Sequence, residues 1–138
     1  MVSLKIGFIG TGFIAKFHAR ALQQVRDVEL VGAVSPHSAP AFAEYGRTLG
    51  LGDVRAFKSV KELCEACDVA AIMAPNYVRV ELMGEVVDAV KAGAALKAVV
   101  CEKPLGRTVK EARRLVDMAK SANLRTCYFE NQLHMKVI

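Results

Sequence analysis

Leu4-Lys5-Ile6-Gly7-Phe8-Ile9-Gly10-Thr11-Gly12-Phe13-Ile14-Ala15 is the stretch on which the fold turns. An apolar run, Leu4 to Ile9, feeds directly into a G-x-G-x-x-A sequence, and an apolar helical pattern follows. Phe13, Phe17 and Ala21 recur at helical spacing, flanked by Ile14, Leu22 and Val25, so the first helix is expected to pack through that broad surface. Each small residue has a mechanical use. Gly10 makes a tight turn, Gly12 lets a phosphate group approach the backbone with no Cβ in the way, and Ala15 allows close packing of helix on strand. Gly10, Thr11, Gly12, Phe13 and Ile14 are therefore the candidate phosphate-binding residues, their free N–H groups aided by the helix dipole. A plain tight turn would use the same glycines. What favours dinucleotide binding is the agreement of strand, turn, helix and position near the N-terminus.

Outward from this unit, short apolar runs rich in Val, Ile and Ala alternate with helical periodicity, the pattern of repeated β-α units. The expected strands are Leu4 to Ile9, Glu29 to Val34, Val54 to Phe57, Val69 to Met73, Ala98 to Cys101 and Arg125 to Phe129. Most are continuously apolar, as parallel strands covered on both faces are. Met83, Val86, Val87 and Val90 mark one one-sided helix, and Ala112, Leu115, Val116 and Ala119 another. Ala39 to Leu49 and Val60 to Glu65 supply the remaining crossovers. Right-handed crossovers then give an α/β fold, a doubly wound parallel sheet of six strands in the order 3-2-1-4-5-6 with helices on both faces, and ligands at the carboxyl ends of the strands.

The 138 residues, 53% hydrophobic and 24% charged, suffice for one domain and are too apolar for a disordered tail. Four cysteines are too few for a disulfide-stapled secreted module. No apolar run approaches the roughly 18 residues of a membrane helix, and residues 1–20 carry no recognisable leader, so a cytoplasmic protein is expected. The net charge of +5 fits an anionic, phosphate-bearing ligand. The basic stretch from Lys103 to Lys120 lacks the interleaved aromatics of a base-stacking surface; it reads as a solvated helix face, and nucleic acid is not an expected partner.

An acid that grips the adenosine ribose is expected about 20 residues after the glycines, at the end of the second strand. The segment there is Val34-Ser35-Pro36-His37-Ser38, and the nearest acids, Asp27 and Glu29, fall before or within the strand. With no carboxylate to repel a 2′-phosphate, and with Ser35, His37 and Ser38 able to donate hydrogen bonds, NADP is favoured over NAD; the same residues could also form a simple turn. The fourth strand ends in Ala74-Pro75-Asn76-Tyr77 and the fifth in Cys101-Glu102-Lys103-Pro104. Both loops should flank the nicotinamide half of the cofactor. Lys103, held in a restrained X-Pro loop, is a well-placed cation for a substrate hydroxyl or carbonyl, and a surface turn is the alternative.

Together these features resemble the Gfo/Idh/MocA family of NAD(P)-dependent oxidoreductases. The resemblance rests on Glu102-Lys103-Pro104 at its distance from Gly10-x-Gly12-x-x-Ala15, with support from Phe13 to His18, Pro75-Asn76 and Glu130-Asn131. It implies that residues 1–138 form the NAD(P)-binding Rossmann domain and that a second, mostly antiparallel α/β domain with further substrate groups lies outside them. It implies Lys103 as the catalytic residue on the substrate oxygen, Glu102 beside it, and Ala74, Pro75 and Asn76 along the nicotinamide. The substrate would be a sugar, polyol or related small molecule, and the full-length form a homo-oligomer. The isolated 138 residues are expected to bind nucleotide and turn over little. In one departure, the family often has His three residues after the Asn, where this chain has Arg79, so no contact is carried over there.

Cys64-Glu65-Ala66-Cys67 lacks a second pair at metal-site spacing and reads as structural, with no metal expected. Cys101 and Cys127, in neighbouring strands, are expected to be buried thiols. His18 stands either near the cleft or exposed, and His134 outside the catalytic set. Two other readings stay open: a non-catalytic NAD(P)-binding sensor or regulatory protein, and an interaction module that uses the fold only as a scaffold.

Overall fold

The computed structural model describes residues 3–134 and Lys136. Six parallel strands, β1 (Leu4–Ile9), β2 (Val28–Val34), β3 (Arg55–Phe57), β4 (Val69–Ile72), β5 (Ala98–Glu102) and β6 (Arg125–Phe129), form one sheet in the order β3-β2-β1-β4-β5-β6. The expected order is therefore found, with strand ends moved by a single residue. Five helices make the crossovers: α1 (Phe13–Leu22), α2 (Ala39–Thr48), α3 (Val60–Ala66), α4 (Arg79–Lys91) and α5 (Val109–Ser121).

Side-chain alternation along the strands divides the core into two layers. Phe8, Leu30, Ala33, Ala71 and Val100 face α1 and α2, joined by Ala15, Ala19 and Phe42. Ile9, Val31, Ala70, Ile72, Val99 and Cys101 face α3, α4 and α5, joined by Leu63, Val86 and Leu115. Helices thus cover both faces. The all-apolar β4 is buried at every residue because β1 and β5 flank it and both layers cover it.

The surface used by α1 differs from the expectation. Phe13 and Phe17 are exposed, at 83% and 59%, while Ala15 and Ala19 are fully buried. A helix that sits against the sheet through two small residues, four apart on one face, approaches more closely than one wedged off by phenyl rings. Periodicity finds a stripe; it does not tell which of two adjacent stripes the close approach selects. Cys127 also departs from expectation, being exposed. It lies on β6, an edge strand whose residues Arg125 to Tyr128 are all exposed. Neighbouring strands share hydrogen bonds, but only a covering layer buries a side chain.

Local signals explain the helix starts. Ser59 Oγ accepts the Glu62 N–H, and the Glu62 carboxylate accepts the N–H of Lys58, the residue before the N-cap, so the pair fixes the start of α3. Thr108 and Glu111 do the same for α5, with Glu111 also paired to Arg107 at 2.5 Å. No side chain caps α1, whose N-cap residue is Gly12. At the opposite, amino edge of the sheet, the Asp68 carboxylate accepts the Lys5 N–H at 2.9 Å and pairs with Lys97 at 2.7 Å.

Candidate functional site

The loops at the carboxyl ends of β1, β2, β3, β4 and β5 open into one continuous cleft of about 1550 Å³. Its walls include Gly10 to Ile14 after β1, Ser35 after β2, Lys58 after β3, Ala74 to Asn76 after β4, and Glu102 to Pro104 after β5. Every candidate site residue except His37 therefore meets in this cleft. His37 is exposed and outside the lining, while its neighbour Ser38 lines it.

Gly10 has φ +102°, and a Cβ there would meet the Ala74 backbone nitrogen at 2.8 Å. Glycine is needed for the turn and for the passage of the β1 exit beside the β4 exit. Gly12, by contrast, is extended, with φ −71° and ψ −165°, and a Cβ there would have nothing within 4 Å. The space in front of α1 is open, and the first-turn N–H groups, which no intrahelical carbonyl can satisfy, face it without a capping side chain. That is a cradle of the right kind for a pyrophosphate.

At the β2 end the hydroxyls form a chain. Thr11 Oγ1 and Ser38 Oγ are 2.5 Å apart, and Ser38 Oγ and Ser35 Oγ are 3.2 Å apart. Among the described residues, the acids lining the cleft are Glu81, Glu85 and Glu102, all on α4 or β5; none follows β2 or β3. Lys58, one strand over, adds a cation on the β2 side that sequence reasoning missed. The signal was present, because the expected strand order places the end of β3 beside the end of β2.

Glu102 is 6% exposed. His18 Nε2–H donates to its Oε1 at 2.6 Å, and the Lys103 N–H donates to its Oε2 at 2.8 Å. The His18 ring also stacks on Phe129, centroids 4.7 Å apart at 19°. His18, left undecided by its position on α1, is thus a tie between α1 and the end of β5. The Lys103 side chain is exposed on the cleft wall, and its bond to Pro104 is cis.

Arg79, in the first turn of α4, is 2% exposed. Its Nη1 donates to the carbonyls of Glu102 at 2.5 Å, of Leu105 at 3.1 Å and of Pro104, while Nη2 donates to the Ala74 carbonyl at 2.9 Å. Nε has no partner. Burial pulls the guanidinium below its usual range, opposed in part by Cys101, Glu102 and Tyr128. Sequence reading marked this position only as a departure from a family pattern.

Among the described residues, no helix is long and apolar enough to cross a membrane, and no cluster of three or more His, Cys, Asp or Glu could hold a metal ion. Cys64 and Cys67 are free, buried thiols.

Residues 4–130 match the GFO_IDH_MocA family model, described as an oxidoreductase family with an NAD-binding Rossmann fold. Glucose-6-phosphate 3-dehydrogenase of Bacillus subtilis is 31% identical over 136 residues, covering 97% of this chain and 35% of that protein. Inositol 2-dehydrogenase of Agrobacterium fabrum is 33% identical over 116 residues, covering 84% of this chain and 33% of that protein. The chain therefore spans about a third of the length of these curated relatives. Among solved structures, scyllo-inositol dehydrogenase from Lactobacillus casei, with bound cofactor NAD(H) and scyllo-inositol, superposes with a TM-score of 0.76 at 20% identity, covering 97% of this chain and 38% of that one. At that identity the likeness concerns the fold. By the match over residues 4–130, this chain belongs to the Gfo/Idh/MocA oxidoreductase family and carries its NAD-binding Rossmann fold.

Proposed function

We propose that this chain is the cofactor-binding part of an oxidoreductase that moves a hydride between a nicotinamide dinucleotide and a hydroxyl or carbonyl carbon of a sugar, polyol or related small molecule. The observation that carries this reading is the single cleft running from the open N-terminus of α1 to Lys103. The α1 N–H groups and Gly12 hold the pyrophosphate, Pro75 and Asn76 line the nicotinamide, and the Glu102–Pro104 turn presents Lys103 beyond it. Nicotinamide, when bound, supplies the hydride acceptor or donor at its C4. Lys103 Nζ polarises the substrate oxygen or relays its proton, and such proton transfer normally contributes about 10²- to 10⁴-fold. The groups that orient the substrate against that nitrogen, and any assembly of subunits, belong to parts of the protein beyond this domain.

The finer choice of cofactor falls on NADP. Ser35, Ser38 and Lys58 surround the β2 exit, and no lining carboxylate stands there to repel a 2′-phosphate. Calorimetric titration of the chain with NADP and NAD tests both levels. Binding of either supports the family role, and a ligand at 100 times its dissociation constant raises stability by about 2.7 kcal/mol. Tighter binding of NADP supports the 2′-phosphate site. If NAD binds about tenfold tighter, that site is refuted while the wider reading stands.

A further inference from the structure

We propose that Arg79 is a positioning residue that sets the nicotinamide half of the cleft by tying the exits of β4 and β5 together. The inference rests on the cofactor-binding reading above and assigns a task to a residue that reading does not use. One guanidinium bridges the Ala74 carbonyl, at the end of β4, to the carbonyls of Glu102, Pro104 and Leu105, the turn that carries Lys103. Among the described residues no carboxylate forms an ion pair with it, and its hydrogen-bond partners are all backbone carbonyls. A planar fork with fixed donor directions holds four acceptors in one arrangement; a flexible ammonium cannot. Backbone carbonyls, not side chains, are the partners, so the path of both loops is what Arg79 fixes. Gly12 and the proposed phosphate cradle lie on another element, and none of the Arg79 hydrogen bonds among the described residues goes to it.

That division supplies the test. Dissociation constants for the preferred dinucleotide and for ADP, which lacks the nicotinamide and its ribose, are measured by calorimetry on the full chain and on Arg79→Met and Arg79→Lys. Arg79→Met is expected to weaken the dinucleotide by about tenfold and ADP by less than about twofold, with Arg79→Lys between wild type and Arg79→Met. Equal losses for the two ligands, or none for either, overturn the proposal, since a merely structural residue would move both alike. If Arg79→Met gives no cooperative melt, Arg79→Lys decides by the same split. Hydrogen exchange on the ligand-free proteins reads the tie directly: faster exchange confined to residues 76–78 and 103–107 supports it, and uniform acceleration that includes β1 and β4 refutes it. Should wild type bind neither ligand, the cofactor reading fails, and exchange alone still decides whether Arg79 holds the two loops.

Discussion

Gly10 and Gly12 stand two residues apart in one motif, yet methyl groups placed on them should fail in different ways. At Gly10 the backbone is left-handed, φ +102°, and a Cβ would lie 2.8 Å from Ala74 N and 3.1 Å from both Ala74 Cα and the Met73 carbonyl carbon. The left-handed conformation costs an L residue about 1–2 kcal/mol. Backbone cannot rotate away as a side chain can, so overpacking adds about 1–3 kcal/mol. The loss of unfolded-chain entropy returns about 0.4–1 kcal/mol. Gly10→Ala should therefore lose about 1–5 kcal/mol of stability. Gly12 has an allowed extended conformation and open space in front of it, so Gly12→Ala should change stability by less than about 1 kcal/mol, the unfolded-chain entropy offsetting the N-cap preference for glycine. Its methyl instead occupies the line of approach of the pyrophosphate. An overlap worth about 1–3 kcal/mol corresponds to about 5- to 150-fold in the dissociation constant. Urea denaturation and dinucleotide titration of both variants give the comparison. Wild-type affinity in Gly12→Ala, or a stability loss there as large as in Gly10→Ala, would refute the assignment of the first to the ligand and the second to the fold.

The cysteines and the amino edge of the sheet give further expectations. Burial pushes the Cys64 and Cys67 thiols up to about 12 and the Cys101 thiol up to about 11, while Cys127 is exposed; a disulfide reagent on the native chain should find one fast thiol, and all four only after unfolding. Because these folded values exceed the ordinary 9.0, the unfolded chain releases its protons first, and stability should hold below that value and decline as pH rises above it. Asp68 shows the opposite sign: the Lys97 side chain, then the Lys5 N–H, hold its carboxyl below the ordinary 3.8. Its contribution is present above 3.8 and is lost as pH falls through the lower folded value. The stability gap between wild type and Asp68→Asn, measured by denaturation, should thus be open at neutral pH and close in strong acid, and a gap that persists there would contradict the ion pair as its source.

Strand positions and their order were legible because each parallel strand must be apolar on two faces, and few other structures demand such runs. The glycine turn was legible for a different reason: Gly10 is demanded by backbone geometry, and Gly12 leaves the space in front of α1 open. Exposure was harder to read. Phe13 and Phe17 satisfy helical periodicity as well as Ala15 and Ala19 do, and only the distance of α1 from the sheet separates them. Cys127 has the neighbours of a core residue but no layer above it. The partners of His18 and Arg79 were invisible because Glu102 lies 84 and 23 residues away from them, and all four acceptors of Arg79 are backbone carbonyls, which carry no residue identity.

The buried polar residues make the remaining connection between fold and site. Among the described residues they are Thr11, Arg79 and Glu102, and all three line the cleft. Each joins two elements at the carboxyl edge of the sheet. Thr11 links the β1 exit to the start of α2 through Ser38, Glu102 links β5 to α1 through His18, and Arg79 links the exits of β4 and β5. Burying such groups costs free energy that their partners largely offset, and apolar side chains of similar volume often serve stability as well or better. What a hydrogen-bonded group adds over an apolar one is direction: it admits one arrangement of donor and acceptor where dispersion contacts admit many. The three ties therefore lie where relative orientation matters, among the loops that line the cleft at the carboxyl edge, and are absent from the core beneath, which needs only to be filled.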